Sequence, residues 1–143
     1  MPRLWPRVLL ALAGLVLLGI GGAVLFAPHA FFASNGIALG DQPNLLSEIR
    51  APGGLLLACA VGMLLGALRP RFTRDGLRLG AMVYGAYGIS RLISLALDGM
   101  PSTSLVGALV IELVIAALCL LALARPEPWP EKSPEIEGMT ASA

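Results

Sequence analysis

Residues 8–27 have the sequence VLLALAGLVLLGIGGAVLFA, twenty consecutive positions without a charged side chain. A helix of about 20 apolar residues is long enough to cross the hydrocarbon core of a bilayer. Because Arg3 and Arg7 precede the run, a cleaved signal peptide is the rival interpretation. The run is longer than the apolar core of a usual signal peptide, so we expect a retained transmembrane helix.

Three further apolar runs follow, at about residues 51–68, 77–97 and 103–124. The composition agrees with a membrane protein, since 57% of the residues are hydrophobic and only 13% are charged. The sequence therefore predicts an all-α fold, a four-helix transmembrane bundle formed by residues 1–125. Residues 126–143 are rich in Pro and Glu, and we expect them to form a disordered cytoplasmic tail.

Local signals set the expected helix ends. Asn44 could cap a short helix that leads into the second span, and Pro52 removes a backbone donor, so we expect a kink or a new start there. Gly99 suits the position just after the third span, and Ser102 is a plausible cap for the fourth.

The arginines predict the orientation of the spans. Arginine precedes the first span and is concentrated between the second and third, whereas the other two connections contain only Arg50. Because basic loops stay in the cytoplasm, both termini should be cytoplasmic. Arginine outnumbers lysine nine to one, a usage typical of GC-rich bacteria, so the expected location is a bacterial cytoplasmic membrane with several spans.

Several classes of function find no support in the sequence. It has no basic stripe with interleaved aromatic residues and no nucleic-acid motif, so we expect no nucleic-acid partner. The only histidine is His29, and no group of Cys and His has the spacing of metal ligands, so we expect no metal and no cofactor.

Small residues recur at every fourth position of the second span, at Gly54, Ala58, Gly62 and Gly66. Such a row lets a neighbouring helix backbone come close, which favours helix packing in lipid. We favour a contact inside the bundle. A homo-oligomer interface or a contact with another membrane protein is the alternative.

The third span carries one polar stripe, because its polar residues are spaced three, four, three and four apart: Tyr84, Tyr87, Arg91, Ser94 and Asp98. Arg91 should lie about 10 Å below the outer edge of the bilayer, and Glu112 of the fourth span about 13 Å below it. A buried arginine is costly unless it is paired, so we expect Arg91 and Glu112 to form an ion pair. Glu48 and Arg50 enter from the same side and should complete an outer cluster.

This cluster has two main interpretations. It could be a structural ion pair that binds nothing, which we favour slightly because one pair can be satisfied internally. It could instead bind the polar head of a lipophilic small molecule, since ionisable groups inside a membrane are often functional. Proton transfer through Glu112 is a third interpretation, but the sequence lacks the series of acids typical of a proton relay.

Five short stretches resemble an uncharacterised family of small bacterial four-helix membrane proteins, a domain of unknown function distantly similar to the DoxX-type proteins. They are Arg50-Ala51-Pro52-Gly53-Gly54, Tyr84-Gly85-Ala86-Tyr87-Gly88, Arg91-Leu92-Ile93-Ser94, Asp98-Gly99-Met100-Pro101-Ser102 and Glu112-Leu113. The resemblance covers about residues 8–124. It implies the four-helix fold and draws attention to the same polar residues, and the DoxX-like kinship implies a link to redox or quinone chemistry by analogy of fold alone.

The leading functional hypothesis is a binding module or accessory subunit in the lipid bilayer that is not an enzyme. The alternative is a transporter or an enzyme acting on a lipid-like or quinone-like molecule. No nucleophile and base pair, phosphate loop or cofactor fingerprint supports that alternative.

Overall fold

The computed structural model describes residues 4–125, so the predicted tail at residues 126–143 lies outside the described part. Within the described residues there are five helices and one 3₁₀ turn: α1 Leu4–Phe26, α2 Pro28–Ala33, α3 Pro43–Leu68, the turn Pro70–Phe72, α4 Thr73–Asp98 and α5 Thr103–Ala124. All but α2 and the turn are long and apolar enough to cross a membrane. The predicted four-helix multi-pass fold is confirmed.

The four long helices form two closely packed pairs. α1 packs mainly along α3, and α5 packs mainly along α4. Contacts between α3 and α4 join the pairs. We call the end that holds residues 27–42 and 99–102 the outer end, following the predicted orientation, and the end that holds the turn Pro70–Phe72 the inner end.

Large apolar side chains cover the outside of the bundle, as expected of a protein surrounded by lipid. Each of the four long helices exposes several of them, including Leu12, Leu15, Leu55, Met82, Ile89, Ile111 and Leu120. A water-soluble monomer rarely exposes an apolar surface of this extent. The buried hydrophobic side chains are fewer, and they include Leu10, Ala60, Met63 and Cys119.

The tightest contact between α1 and α3 is made by two glycines. A Cβ added at Gly53 would lie 2.9 Å from the backbone nitrogen of Leu25 and 3.1 Å from the carbonyl oxygen of Gly21. A Cβ added at Gly21 would lie 3.0 Å from the carbonyl oxygen of Gly53. Each glycine therefore lets the other helix backbone approach, the kind of packing that holds helices together when lipid removes the hydrophobic drive.

The predicted row of small residues does not form one internal contact. A Cβ added at Gly54 would have no atom within 4 Å, and Ala58 is exposed. In contrast, a Cβ added at Gly62 would contact Leu79 of α4, and one added at Gly66 would contact Gly76 of α4. The physical reason is the helix period: a spacing of four advances about 40° around the helix at each step. The outer half of the row therefore faces away from the neighbours that its inner half contacts.

The helices differ from the local sequence signals in two features of α3 and in one additional helix. α3 runs without interruption from Pro43 through Pro52, and Gln42, not Asn44, occupies its N-cap position. Proline is tolerated in membrane helices where the freed carbonyl finds another partner, and the helix around Pro52 is exposed near its outer end. The linker also contains α2, which was not predicted.

Ser102 does occupy the N-cap position of α5, but its side chain makes no capping hydrogen bond. The Ser102 and Ser104 hydroxyl oxygens lie 3.0 Å apart instead.

Gly53→Ala should destabilise the bundle by about 1 to 3 kcal/mol, because the new methyl group would press on backbone atoms that cannot move aside. Gly54→Ala is the matched control, since open space surrounds that position and alanine is the better helix former. The free energy of unfolding in mixed micelles, titrated with a denaturing detergent, measures both. Equal losses in the two variants would contradict the assigned contact.

Candidate functional site

The ion pair between Arg91 and Glu112 is the centre of the candidate site. Arg91 lies in α4, seven residues before its end, and Glu112 lies in the antiparallel α5. The Nε of Arg91 donates to both carboxylate oxygens of Glu112, at 3.0 Å to Oε1 and 2.9 Å to Oε2. The structure thus brings Arg91 of α4 and Glu112 of α5 into direct contact.

The two partners differ in exposure. The side chain of Glu112 is 11% exposed, whereas that of Arg91 is 31% exposed. The last buried residue of α4 is Gly88, which packs against Leu113 of α5. Beyond Gly88, α4 is covered only in part, so one side of the arginine is accessible from outside the protein.

Tyr84 shows the direction in which the polar stripe faces. Its hydroxyl donates a hydrogen bond of 2.6 Å to the carbonyl oxygen of Ala13 in α1, and the residue is 3% exposed. Arg91 follows seven residues later, which brings it to within about 20° of the same direction around the helix. The Tyr84 end of the stripe therefore faces α1, and Arg91 lies on nearly the same side of α4.

Arg91 and Tyr87 have hydrogen-bond donors with no acceptor within residues 4–125. Arg91 has five N–H donors and uses only the one on Nε, so the four on Nη1 and Nη2 are free within that range. Tyr87, four residues earlier, is 37% exposed, and its hydroxyl has no hydrogen-bond partner among the same residues. Because residues four apart are neighbours on a helix, these donors lie on one surface. We call the set formed by Tyr87, Arg91 and Glu112 the donor site.

The predicted outer cluster does not assemble as a whole. Arg50 turns towards α1 and donates to the carbonyl oxygen of Leu25. Glu48 is exposed and forms no ion pair within the described range, and Ser94 donates to Asp98 at 2.9 Å on the exposed end of α4. Arg50 and Glu48 lie near the start of α3, which packs on α1, so they belong to the other helix pair.

Sequence reasoning missed the polar contacts of the outer loops. Ser104 at the start of α5 donates to Asn35 at 3.3 Å, which ties the loop after α2 to the second helix pair. His29 and Asp41 approach to 3.0 Å across the linker. Both contacts join residues far apart in sequence or in an irregular segment, where no periodic pattern could reveal them.

An open groove of about 600 Å³ lies between the outer ends of α1 and α3. Its lining residues are Leu25, Pro43, Leu46, Ser47, Arg50, Ala51 and Gly54. Arg50 is the one charged residue of this lining, and its guanidinium already bonds Leu25. The groove does not include the donor site.

A protein-family model matches residues 6–123 of the chain, most of its length. The chain belongs to the domain of unknown function family DUF4345. This confirms the predicted membership of a family without a known function, while the kinship with DoxX-type proteins stays a prediction. Neither a curated protein nor a solved structure matches the chain.

The geometry of this DUF4345 protein allows one kind of chemistry at the donor site. The ion pair is electrically neutral, and the free groups beside it donate hydrogen bonds. A site of this kind can hold a hydrogen-bond acceptor within the membrane.

Arg91→Leu or Glu112→Leu alone should cost about 3 kcal/mol of unfolding free energy, because each leaves one charge in the bundle without its partner. The double variant Arg91→Leu with Glu112→Leu should stay folded, with a loss well below the sum of the two. The exposed pair of Asp75 and Arg78 is the control, and breaking it should cost under about 1 kcal/mol. A double variant that unfolds while both single variants are tolerated would refute the pairing.

Proposed function

We propose that this protein is a membrane binding protein whose donor site holds the polar head of a lipophilic small molecule. The molecule's apolar body lies between the two helix pairs or against their lipid-facing surface. Arg91 and Tyr87 donate hydrogen bonds to the head, and Glu112 orients the guanidinium and balances its charge. In this proposal the protein lies in a bacterial cytoplasmic membrane with both termini inside. The excess of arginine over lysine supports the bacterial source, and the distribution of the arginines supports the orientation.

The observation that carries the proposal is the incomplete hydrogen bonding of Arg91. A purely structural pair would be satisfied best by bonds from several guanidinium nitrogens, because unsatisfied donors in hydrocarbon cost free energy. Here one nitrogen carries both bonds to Glu112, and the other two have no acceptor within residues 4–125. A bound acceptor satisfies them without any change in the ion pair.

The charge of the site selects the class of ligand. Glu112 already neutralises Arg91, so a second anion would be repelled by the carboxylate and would leave a net negative charge in the bundle. A neutral acceptor has no such cost. The ligand head is therefore a carbonyl or ether oxygen, as in an ester, an amide or a quinone.

Native mass spectrometry of the full chain, released gently from its own membrane, tests this proposal. We expect a small lipophilic mass on the wild-type protein and its loss in Arg91→Lys. Lysine keeps the positive charge for Glu112 but has no planar set of additional donors. A folded Arg91→Lys variant that carries the same mass at the same occupancy would overturn the assigned role of the guanidinium.

The two tyrosines of the stripe give a matched pair of variants. Tyr87→Phe should weaken retention of the bound mass by roughly 2- to 10-fold, the effect of one hydrogen bond, with no loss of stability. Tyr84→Phe should lower the unfolding free energy by about 1 kcal/mol, because it removes the bond to Ala13. The opposite pattern, with Tyr87→Phe destabilising and Tyr84→Phe releasing the ligand, would count against the donor site.

A further inference from the structure

The inner end of the bundle is strongly basic. Its described residues include six arginines and a single acidic residue, Asp75: the arginines are Arg7, Arg69, Arg71, Arg74, Arg78 and Arg125. Positive loops on the cytoplasmic side are common, so the excess of charge alone only sets orientation. The contacts of the individual arginines separate those with a structural partner from those without one.

Some of these arginines are engaged within the chain. Arg7 of α1 donates to the carbonyl oxygens of Ala67, at 2.7 Å, and Leu68, at 3.2 Å, and so closes the last turn of α3. Arg78 pairs with Asp75 at 2.8 Å. The first contact joins α1 to α3, and the second lies within α4.

The remaining arginines have no acceptor within the described range. Arg69 and Arg74 form no hydrogen bond or ion pair there through their side chains, and Arg69 is exposed. Arg71 lies over the ring of Phe72, 4.5 Å from its centre, and Arg125 lies over the ring of Trp5 at 5.3 Å. The two ring contacts leave the N–H donors in the guanidinium plane available.

The nearby backbone offers these arginines few acceptors. The hydroxyl of Thr73 donates to the carbonyl of Gly66, and the backbone amide of Arg69 donates to the carbonyl of Leu65. Arg7 donates to the carbonyls of Ala67 and Leu68. The carbonyl of Arg69 accepts from the amide of Phe72. The turn between α3 and α4 thus combines a surplus of cationic donors with satisfied carbonyls.

We infer that this turn binds the phosphate of an anionic phospholipid, with Arg69, Arg71 and Arg74 as the contacting residues. The turn lies where two transmembrane helices end, at the depth expected for lipid headgroups, and Trp5 at the same end of the bundle is a residue type enriched at that interface. Arginine matches phosphate geometry with paired donors. This site is at the opposite end of the bundle from the donor site and does not depend on the proposed function.

The test titrates the detergent-solubilised full chain with phosphatidylglycerol, using zwitterionic phosphatidylethanolamine as the comparison lipid, and counts bound lipid by native mass spectrometry. We expect selective binding of phosphatidylglycerol that weakens as salt is raised. Arg69→Gln with Arg74→Gln should reduce its affinity by roughly 30-fold, while leaving that of phosphatidylethanolamine unchanged. Arg69→Lys with Arg74→Lys retains the charge and should recover most of the binding.

Equal binding of the two lipids by the wild-type chain, or no effect of the double glutamine change in a folded protein, would overturn the inference. The test must also distinguish lipid phosphate from the carboxylates of the chain's own tail as the partner of these arginines. The tail contains four glutamates: Glu127, Glu131, Glu135 and Glu137. If selective lipid binding is absent in the wild type and present only after all four are changed to Gln, the tail occupies the turn and the lipid assignment is wrong.

Discussion

Hydrocarbon offers no hydrogen-bond partner, so polar groups within the four spans must be satisfied by the protein or by something it binds. The helices satisfy most of the backbone. The hydroxyl of Tyr84 donates to a carbonyl of α1, and the carboxylate of Glu112 accepts from Arg91. The indole Nε1 of Trp5 at the inner end, the Nη atoms of Arg91 and the hydroxyl of Tyr87 find no partner within residues 4–125. Arg91 and Tyr87 lie next to each other on α4, and their free donors are the basis of the functional proposal.

The same constraint explains how the bundle holds together. Lipid removes the hydrophobic drive between helices, so close contact and polar bonds have to supply the stability. Gly21 and Gly53 bring α1 and α3 together, and Gly88 lets Leu113 of α5 approach α4. The bond from Tyr84 to Ala13 then connects the two pairs, and it lies on the same helix face as the donor site.

Much of the fold could be predicted because it depends on periodicity and length. The four apolar runs have the length of a span, and their loops alternate in positive charge. The pairing of Arg91 with Glu112 followed from two similar depths on consecutive antiparallel helices. The stripe from Tyr84 to Asp98 has an average spacing of 3.5, which stays on one helix face, so its placement could also be anticipated.

Other features could not be predicted because they depend on contacts that no local pattern encodes. A row spaced by four drifts around the helix, and the true contact to α1 uses Gly53, one position away from Gly54. Pro52 predicts a kink or a new start, and α3 continues through it without a new start. Arg50 and Arg91 both lie towards the outer side of the bundle, but a shared side does not specify which neighbour a side chain faces, and Arg50 bonds α1 instead.

The most direct measurement is an experimental structure of the full chain purified with its native lipids, at a resolution that shows side-chain contacts. We expect density that does not belong to the protein beside Arg91, with an acceptor atom within about 3.2 Å of Nη1 or Nη2. A structure in which both nitrogens instead donate to the chain's own oxygens, with no foreign density beside them, would make the ion pair purely structural and would contradict the proposed binding function.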